Sequence, residues 1–347
     1  MNYIGVDCHI STLDFAVVDG KGAIKKKACV NTGVKEFMEF VRSIPKPRKI
    51  YIEEGELANW LLETSRRFGE QLIITDPKEN KWISKAKQKN DPIDATKLAQ
   101  LARGGYIKEI YHPVNDKRRF KELVFAYHDT VKSQTRIKNK LKARFRAEGI
   151  PCNGTTVFSE HARNAWRSKL PANPIARLIP DELWKQLDQL HEAKKALKES
   201  IRTESKQYPE IRRFMKVPGI GLIHASTIYA IIDTPYRFSN KKKLWMFAGI
   251  GLAERSSGGT VYSKRLTREY NRQLKDAVKK AVEAAICAKD NQFKKQYIRL
   301  TLEQGLPTHK AKLTVARSIL ATLYGMWKNG EAYDPDIDKK RKEGNKK

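Results

Sequence analysis

Cysteine is scarce in this chain: Cys8, Cys29, Cys152 and Cys287 are the only four in 347 residues, and none lies close to another. Such scatter excludes a disulfide framework and a paired-thiolate zinc site, and it suits a reducing compartment. No apolar run reaches the roughly 18 residues that a membrane helix needs, and the N-terminus lacks the basic and apolar regions of a signal peptide. The sequence is therefore read as cytoplasmic and without a membrane partner. Acid is in short supply as well, with 39 Asp and Glu against 69 Lys and Arg, a formal charge of +30. That imbalance calls for a polyanionic partner, and with membranes set aside the partner is nucleic acid, held in large part through counterion release.

A chain of this length suits two domains. Near the N-terminus, Tyr3 to Val6, Leu13 to Val18 and Ala23 to Val30 are short apolar runs, the last two separated by the turn Asp19-Gly20-Lys21-Gly22. A helical pattern at Val34, Phe37, Met38 and Val41 follows, then a strand at Lys49 to Glu53, a helix around Leu57 to Phe68 and a strand at Gln71 to Thr75. The order βββαβαβ is that of an RNase H-like fold. From Asp91 the pattern turns helical, and a long helix is expected from about Val114 to Glu148. A Pro- and Gly-containing stretch to Pro180 breaks it, and a second long helix, Glu182 to Gln207, could pair with the first as an antiparallel arm. The remainder, Ile211 to about Lys328, reads as mostly helical, interrupted by glycine loops at Pro218-Gly219-Ile220-Gly221 and Ser256-Ser257-Gly258-Gly259.

Four carboxylates stand out. Asp7 ends the first strand and Glu53 the fourth, which lies beside the first in an RNase H-like sheet. Asp91 and Asp94 are three apart at a helix start and share a face. Neighbouring carboxylates repel unless a cation separates them, and hard oxygen donors suit Mg²⁺ or Mn²⁺. Two such ions would bridge a phosphate during phosphodiester cleavage or transfer. Competing readings stand beside this one. Asp91 before Pro92 is a good N-cap, Asp94 would favour the helix dipole, and Glu54 and Glu56 compete with Glu53 as the second ligand.

Basic residues concentrate between 132 and 146, where Lys132, Arg136, Lys138, Lys140, Lys142, Arg144 and Arg146 occur with no acid. On a helix with alternating apolar positions they would track a phosphate backbone of DNA or RNA. Trp82, Phe145, Trp166 and Tyr262 near the basic runs are read as core residues before base-stacking ones. Pro218 to Gly221 before a helix fits either a phosphate-holding turn or a helix-packing turn.

At these residues the chain resembles the insertion-sequence transposases with a RuvC-like DEDD domain, described as bridge-RNA-guided serine recombinases. The likeness rests on Gly5-Val6-Asp7, on Ile52-Glu53, on Asp91-Pro92-Ile93-Asp94-Ala95, and in the second half on Pro218 to Gly221, Phe247-Ala248-Gly249 and Ser257-Gly258. Glu54 replaces the family's small residue after the second acid, and Tyr270 its usual glycine. The resemblance implies that Ser257, with Ser256 as the adjacent alternative, is a nucleophile forming a transient phosphoserine link to DNA. No histidine lies near it in sequence, so the expectation is that the metal site of the N-terminal domain, in the same or a partner subunit, activates it or stabilises the leaving oxygen.

Together these readings give a RuvC-like α/β domain over residues 1–112, a helical arm over 113–208, a mostly α serine domain over 209–330 and a basic tail, expected to be disordered, over 331–347. The expected function is metal-dependent DNA cleavage and rejoining, with Asp7, Glu53, Asp91, Asp94 and Ser257 catalytic. The implied partners are donor and target DNA and a guide RNA, in a homodimer or homotetramer associated with the nucleoid of a prokaryote. The alternatives are a RuvC-like structure-selective nuclease and a non-catalytic nucleic-acid-binding protein.

Overall fold

The computed structural model describes residues 1–77, 91–113, 117–257 and 260–335, with the backbone alone at 91–93, 254–257 and 260–264. Two compact units divide the chain at Val114.

The first unit is built on a five-stranded sheet, β1 (Asn2–Cys8), β2 (Thr12–Val18), β3 (Ile24–Asn31), β4 (Arg48–Glu53) and β5 (Leu72–Thr75), in the order β3-β2-β1-β4-β5. The first three strands are antiparallel, while β4 and β5 run parallel to β1. This is the RNase H-like arrangement that the element order predicts, with β4 beside β1. Alternation along the strands sends Ile4, Val6, Leu13, Phe15, Val17, Ile50 and Ile52 to one face. They meet Phe37, Met38 and Val41 of α1 (Val34–Arg42) and Leu61 and Leu62 of α2 (Ala58–Arg67). On the opposite face Tyr51 packs with Leu98 and Ala102 of α3 (Asp91–Arg103), joined by Tyr3 and Ile73. The exposed edge strand β3 carries Lys25, Lys26 and Lys27, charges that discourage pairing with another sheet.

In the second unit two 31-residue helices, α4 (Lys117–Ala147) and α5 (Pro174–Glu204), pack antiparallel. At the far end Ile137, Leu141 and Phe145 meet Leu183, Trp184 and Leu187, and the Trp184 indole N–H donates to the Val157 carbonyl at 2.7 Å. At the near end Phe120, Val124 and Ile201 join the large core of the unit. The second helix starts eight residues before the expected Glu182. Asn173 caps it by accepting from the backbone N–H groups of Ile175 and Ala176, with Pro174 at the tolerant first position, and Pro180 lies inside it.

The core of this unit surrounds α6 (Leu222–Ile232), which is buried along nearly its whole length. It is flanked by α7 (Lys241–Phe247), α8 (Arg272–Cys287), α9 (Gln292–Ile298) and α10 (Thr308–Asn329). On α8 the buried residues Leu274, Ala277, Val278, Ala281, Val282 and Ala285 follow helical spacing. Contrary to the mostly helical expectation, residues 252–266 form an antiparallel hairpin of β6 (Leu252–Ser257) and β7 (Thr260–Leu266). No helix among the described residues is long and apolar enough to cross a membrane.

Candidate active site

The decisive contact in the first unit is made by a missing side chain. Gly5 lies on the face of β1 opposite Ile4 and Val6, and a Cβ there would stand 2.1 Å from the Ala95 carbonyl oxygen and 2.7 Å from the Ala99 backbone nitrogen. The helix α3 therefore rests directly on the strand backbone, an approach only glycine permits. Since Leu98 and Ala102 lie with Tyr51 and Tyr3 further back along the strands, the first turn of α3 is carried towards the Asp7 end of the sheet. Asp7, two residues beyond Gly5, shares its face.

The same periodicity places Glu53. Gly5 pairs with Tyr51 and Val6 with Ile52, so Glu53 continues the face of Tyr51 and stands across from Asp7 in the parallel register. Glu54, its competitor in sequence, is engaged elsewhere: its carboxylate bonds one ring nitrogen of His112, whose other ring nitrogen pairs with Asn59 Oδ1 at 3.0 Å. Glu56 is exposed. Asp94, directly before Ala95, forms an ion pair with Lys97 at 3.2 Å, and Asp7 contacts His9 Nε2 at 3.4 Å. Asp91 is the first residue of α3; its side chain lies outside the described set. Among the described residues no three His, Cys, Asp or Glu side chains form a ready-made metal-binding group.

Sequence reasoning missed Asp14. It pairs with Asp7 across the β1–β2 ladder and so shares its face, it is only 7% exposed, and it has no side-chain hydrogen-bond or ion-pair partner among the described residues. A carboxylate buried without a counter-charge is costly. The available signal was an acid on the minor face of the run Leu13 to Val18, hidden there by the strength of the apolar pattern. Sulfur does not compete with these oxygens. Burial, with a smaller push from the Asp7 charge, raises the Cys8 thiol to a pKa of about 12, so it stays protonated.

In the second unit, Ser256 and Ser257 end strand β6 of a hairpin, which corrects the expectation of an open glycine loop between helices. The register pairs Ser257 with Thr260 and leaves Gly258-Gly259 as the two-residue link, outside the described residues, the glycine dipeptide that tight hairpins favour. Pro218 to Gly221 acts in packing. Gly219 has φ of +86°, and a Cβ there would stand 2.2 Å from the Ala281 carbonyl oxygen, so the turn seats the start of α6 against α8. The basic segment lies on α4, with Ile137, Leu141 and Phe145 buried on one side. Arg136, Lys140, Arg144 and Arg146 are exposed, Lys132 pairs with Asp129 at 2.8 Å, and Lys138 and Lys142 lie over the Phe158 ring at 5.2 and 5.4 Å. Phe145 is fully buried and Trp166 packs against its ring; Trp82 and the side chain of Tyr262 lie outside the described residues.

Comparison with known proteins bears on both units. Residues 4–147 match a family described as transposase, of the DEDD type found in IS110 elements, and residues 211–298 match the transposase IS116/IS110/IS902 family. Among curated proteins the chain is 24% identical over 165 residues to an uncharacterized 43.6 kDa protein of insertion element IS110 from Streptomyces coelicolor, covering 48% of this chain and 40% of that one. It is 23% identical over 203 residues to the transposase for insertion sequence element IS1111A from Coxiella burnetii, covering 58% and 56%. The chain thus spans about half the length of these relatives or less. The carboxylate-bearing sheet lies within the segment similar to the first transposase family, and much of the helical core within the segment similar to the second.

Proposed function

We propose that this chain is a DNA transposase that cuts and rejoins DNA strands, using Asp7, Glu53, Asp91 and Asp94 to hold divalent cations at the open end of the sheet. The observation that supports this reading is the seating of α3 on Gly5, which carries the start of that helix, with Asp91 and Asp94, towards the end of the sheet where Asp7 and Glu53 lie. A donor set of carboxylate oxygens alone, with the nearby thiol protonated, fits Mg²⁺ or Mn²⁺, the divalent metals of DEDD-type domains. Bound there, such ions would polarise a phosphodiester and stabilise the departing oxygen. Asp14 would complete the group from the neighbouring strand, its buried charge offset by the cation.

The finer reading adds Ser257 as the nucleophile. Its hydroxyl would attack the DNA phosphorus as the 3′ or 5′ oxygen departs with the proton, and reversal of that exchange on a new strand would restore the serine. Its support is the resemblance of Ser257-Gly258 and the matched second domain. On the same resemblance a structured guide RNA selects the DNA, and the exposed cations of α4 are suited to either nucleic acid. Action as a homodimer or homotetramer would let the serine of one copy meet the carboxylates of another.

The test is incubation of the purified chain with its flanking RNA, Mg²⁺ and end-labelled target DNA, followed by denaturing electrophoresis. The wild type is expected to yield a protein-linked DNA band. Asp7→Asn should abolish cutting altogether, about a thousandfold loss or more, and Ser257→Ala should remove the adduct. Cutting by Ser257→Ala at the wild-type rate would replace the serine with water as nucleophile, and cutting by Asp7→Asn would remove the metal reading.

A further inference from the structure

The second unit contains a cavity of about 850 Å³ between α7, α9 and α10 that the proposed DNA chemistry does not use. Arg317 lines it and is the unusual residue in its wall. Its Nε donates to the Ile250 carbonyl at 2.7 Å, which fixes the guanidinium plane, while its chain carbonyl accepts from the Trp245 indole at 3.1 Å. Its side chain has no carboxylate partner among the described residues, although it is half-buried. Burial pulls this guanidinium below the ordinary arginine range, and no neighbouring acid pushes it back up.

Other charges on the lining narrow the occupant. Lys241 and Arg299 are exposed cations without an ion-pair partner among the described residues. Glu303 and Glu331 are exposed acids and Asp334 a half-buried one on the same lining, none of them in an ion pair with Arg317 among the described residues. A bare anion would satisfy the cations and leave the acids unused. A molecule with an anionic head and hydrogen-bond donors elsewhere matches both, and a planar guanidinium held by one nitrogen offers its remaining N–H groups to two oxygens of a phosphate. The volume falls within the range of pockets that enclose molecules of nucleotide size.

We propose that this cavity binds a single nucleotide, its phosphate on Arg317 with Arg299 and Lys241 at the mouth, and its sugar and base donors towards Glu303 and Glu331. The nucleotide is either free or one unit of a strand held by the protein. Nothing in this assignment depends on the carboxylate site of the first unit.

The experiment is calorimetric titration of the full chain, in salt high enough to suppress diffuse binding, with four probes: deoxyadenosine monophosphate, a 5′-phosphorylated deoxyadenosine trinucleotide, inorganic phosphate and adenosine. The monophosphate or the trinucleotide should bind at one site per chain, and more tightly than inorganic phosphate or adenosine. Binding of both marks a free nucleotide as sufficient, and binding of the trinucleotide alone marks a strand. Arg317→Gln should weaken binding by about tenfold or more, the effect of one lost charge-assisted pair. Because that change also removes the Ile250 bond, two further variants decide the matter: Arg299→Gln, whose side chain has no partner among the described residues, and Ala321→Phe, which fills the cavity without altering charge. Wild-type affinity in both would overturn the proposal, as would binding of inorganic phosphate as tight as that of the nucleotides.

Discussion

The two units use glycine in the same way for different ends. In the first, Gly5 lets a helix touch a strand, and the contact brings the start of that helix towards the strand end that bears Asp7. In the second, Gly219 lets a turn touch a helix, and what is aligned is an apolar core. Both belong to motifs that carry the family resemblance, but the first stands beside a carboxylate and the second beside a histidine, His224, that is hydrogen-bonded to Gly219. A motif can therefore persist as a chemical group or as the packing that seats one. In Gly5-Val6-Asp7 the two are adjacent, and in Pro218 to Gly221 the close packing of Gly219 on α8 dominates.

That comparison breaks most sharply by adding one methyl group to each unit. Gly219→Ala should destabilise the second unit by about 2–4 kcal/mol, combining overpacking against Ala281 with the cost of a left-handed backbone on a residue with a side chain. Its melting transition should fall while Mn²⁺ binding to the first unit, followed by the loss of the free-ion paramagnetic signal, survives. Gly5→Ala should cost about 1–3 kcal/mol and do the reverse, displacing α3 from the strand and abolishing Mn²⁺ binding. Equal Mn²⁺ affinity in wild type and Gly5→Ala would show that the contact does not seat the carboxylates.

Charge separates the regions as well. In the first unit Asp7, Asp14 and Glu53 lie on neighbouring strands of the sheet, whereas the cations of α4 are spread along a helix and several already have partners. Lys138 and Lys142 are drawn over Phe158 and Lys132 to Asp129, so Arg136, Lys140, Arg144 and Arg146 remain as the outward row. The double change Lys140→Gln with Arg144→Gln should leave the helix content intact. If each residue neutralises one phosphate of a duplex, the slope of log affinity against log salt should fall by about 1.8. An unchanged slope would move the nucleic-acid path away from this face.

How much of this was legible in sequence follows the same division. The apolar runs Leu13 to Val18 and Lys49 to Glu53 revealed the strands, but alternation alone left Glu53, Glu54 and Glu56 in competition, because the choice rests on the register of β4 with β1. Asp14 was lost because its partner across the hairpin is a matter of register, which no local pattern states. In the second unit, local signals competed. Pro180 was read as a breaker although Asn173-Pro174 had already started the helix, and the hairpin at 252–266 was masked by helices on both sides although Gly258-Gly259 is a tight-turn signal. Nothing local marked Arg317, because its significance lies in a cavity whose other walls come from elements distant in sequence.

The smallest expected effect concerns a half-buried histidine of the second unit. His128 Nε2 lies 2.7 Å from Thr227 Oγ1, and that hydroxyl donates its own proton to the Ile223 carbonyl at 2.6 Å, so it accepts from a neutral imidazole carrying hydrogen on Nε2. Burial lowers the His128 pKa below 6.5, Lys280 and Lys132 lower it further, and Asp276 and Asp129 only partly oppose them. As pH falls the unfolded chain therefore takes up this proton first. The contribution to stability is complete above about pH 6.5 and is lost as pH drops from there towards the folded-state value. His224 is shifted in the same direction, again chiefly by burial. Calorimetric melting between pH 7.5 and 5 should show the transition of the second unit moving down, and His128→Gln, whose amide can still donate to Thr227, should flatten that dependence. Parallel curves for the two proteins would assign the acid sensitivity to His224 or to the paired carboxylates instead.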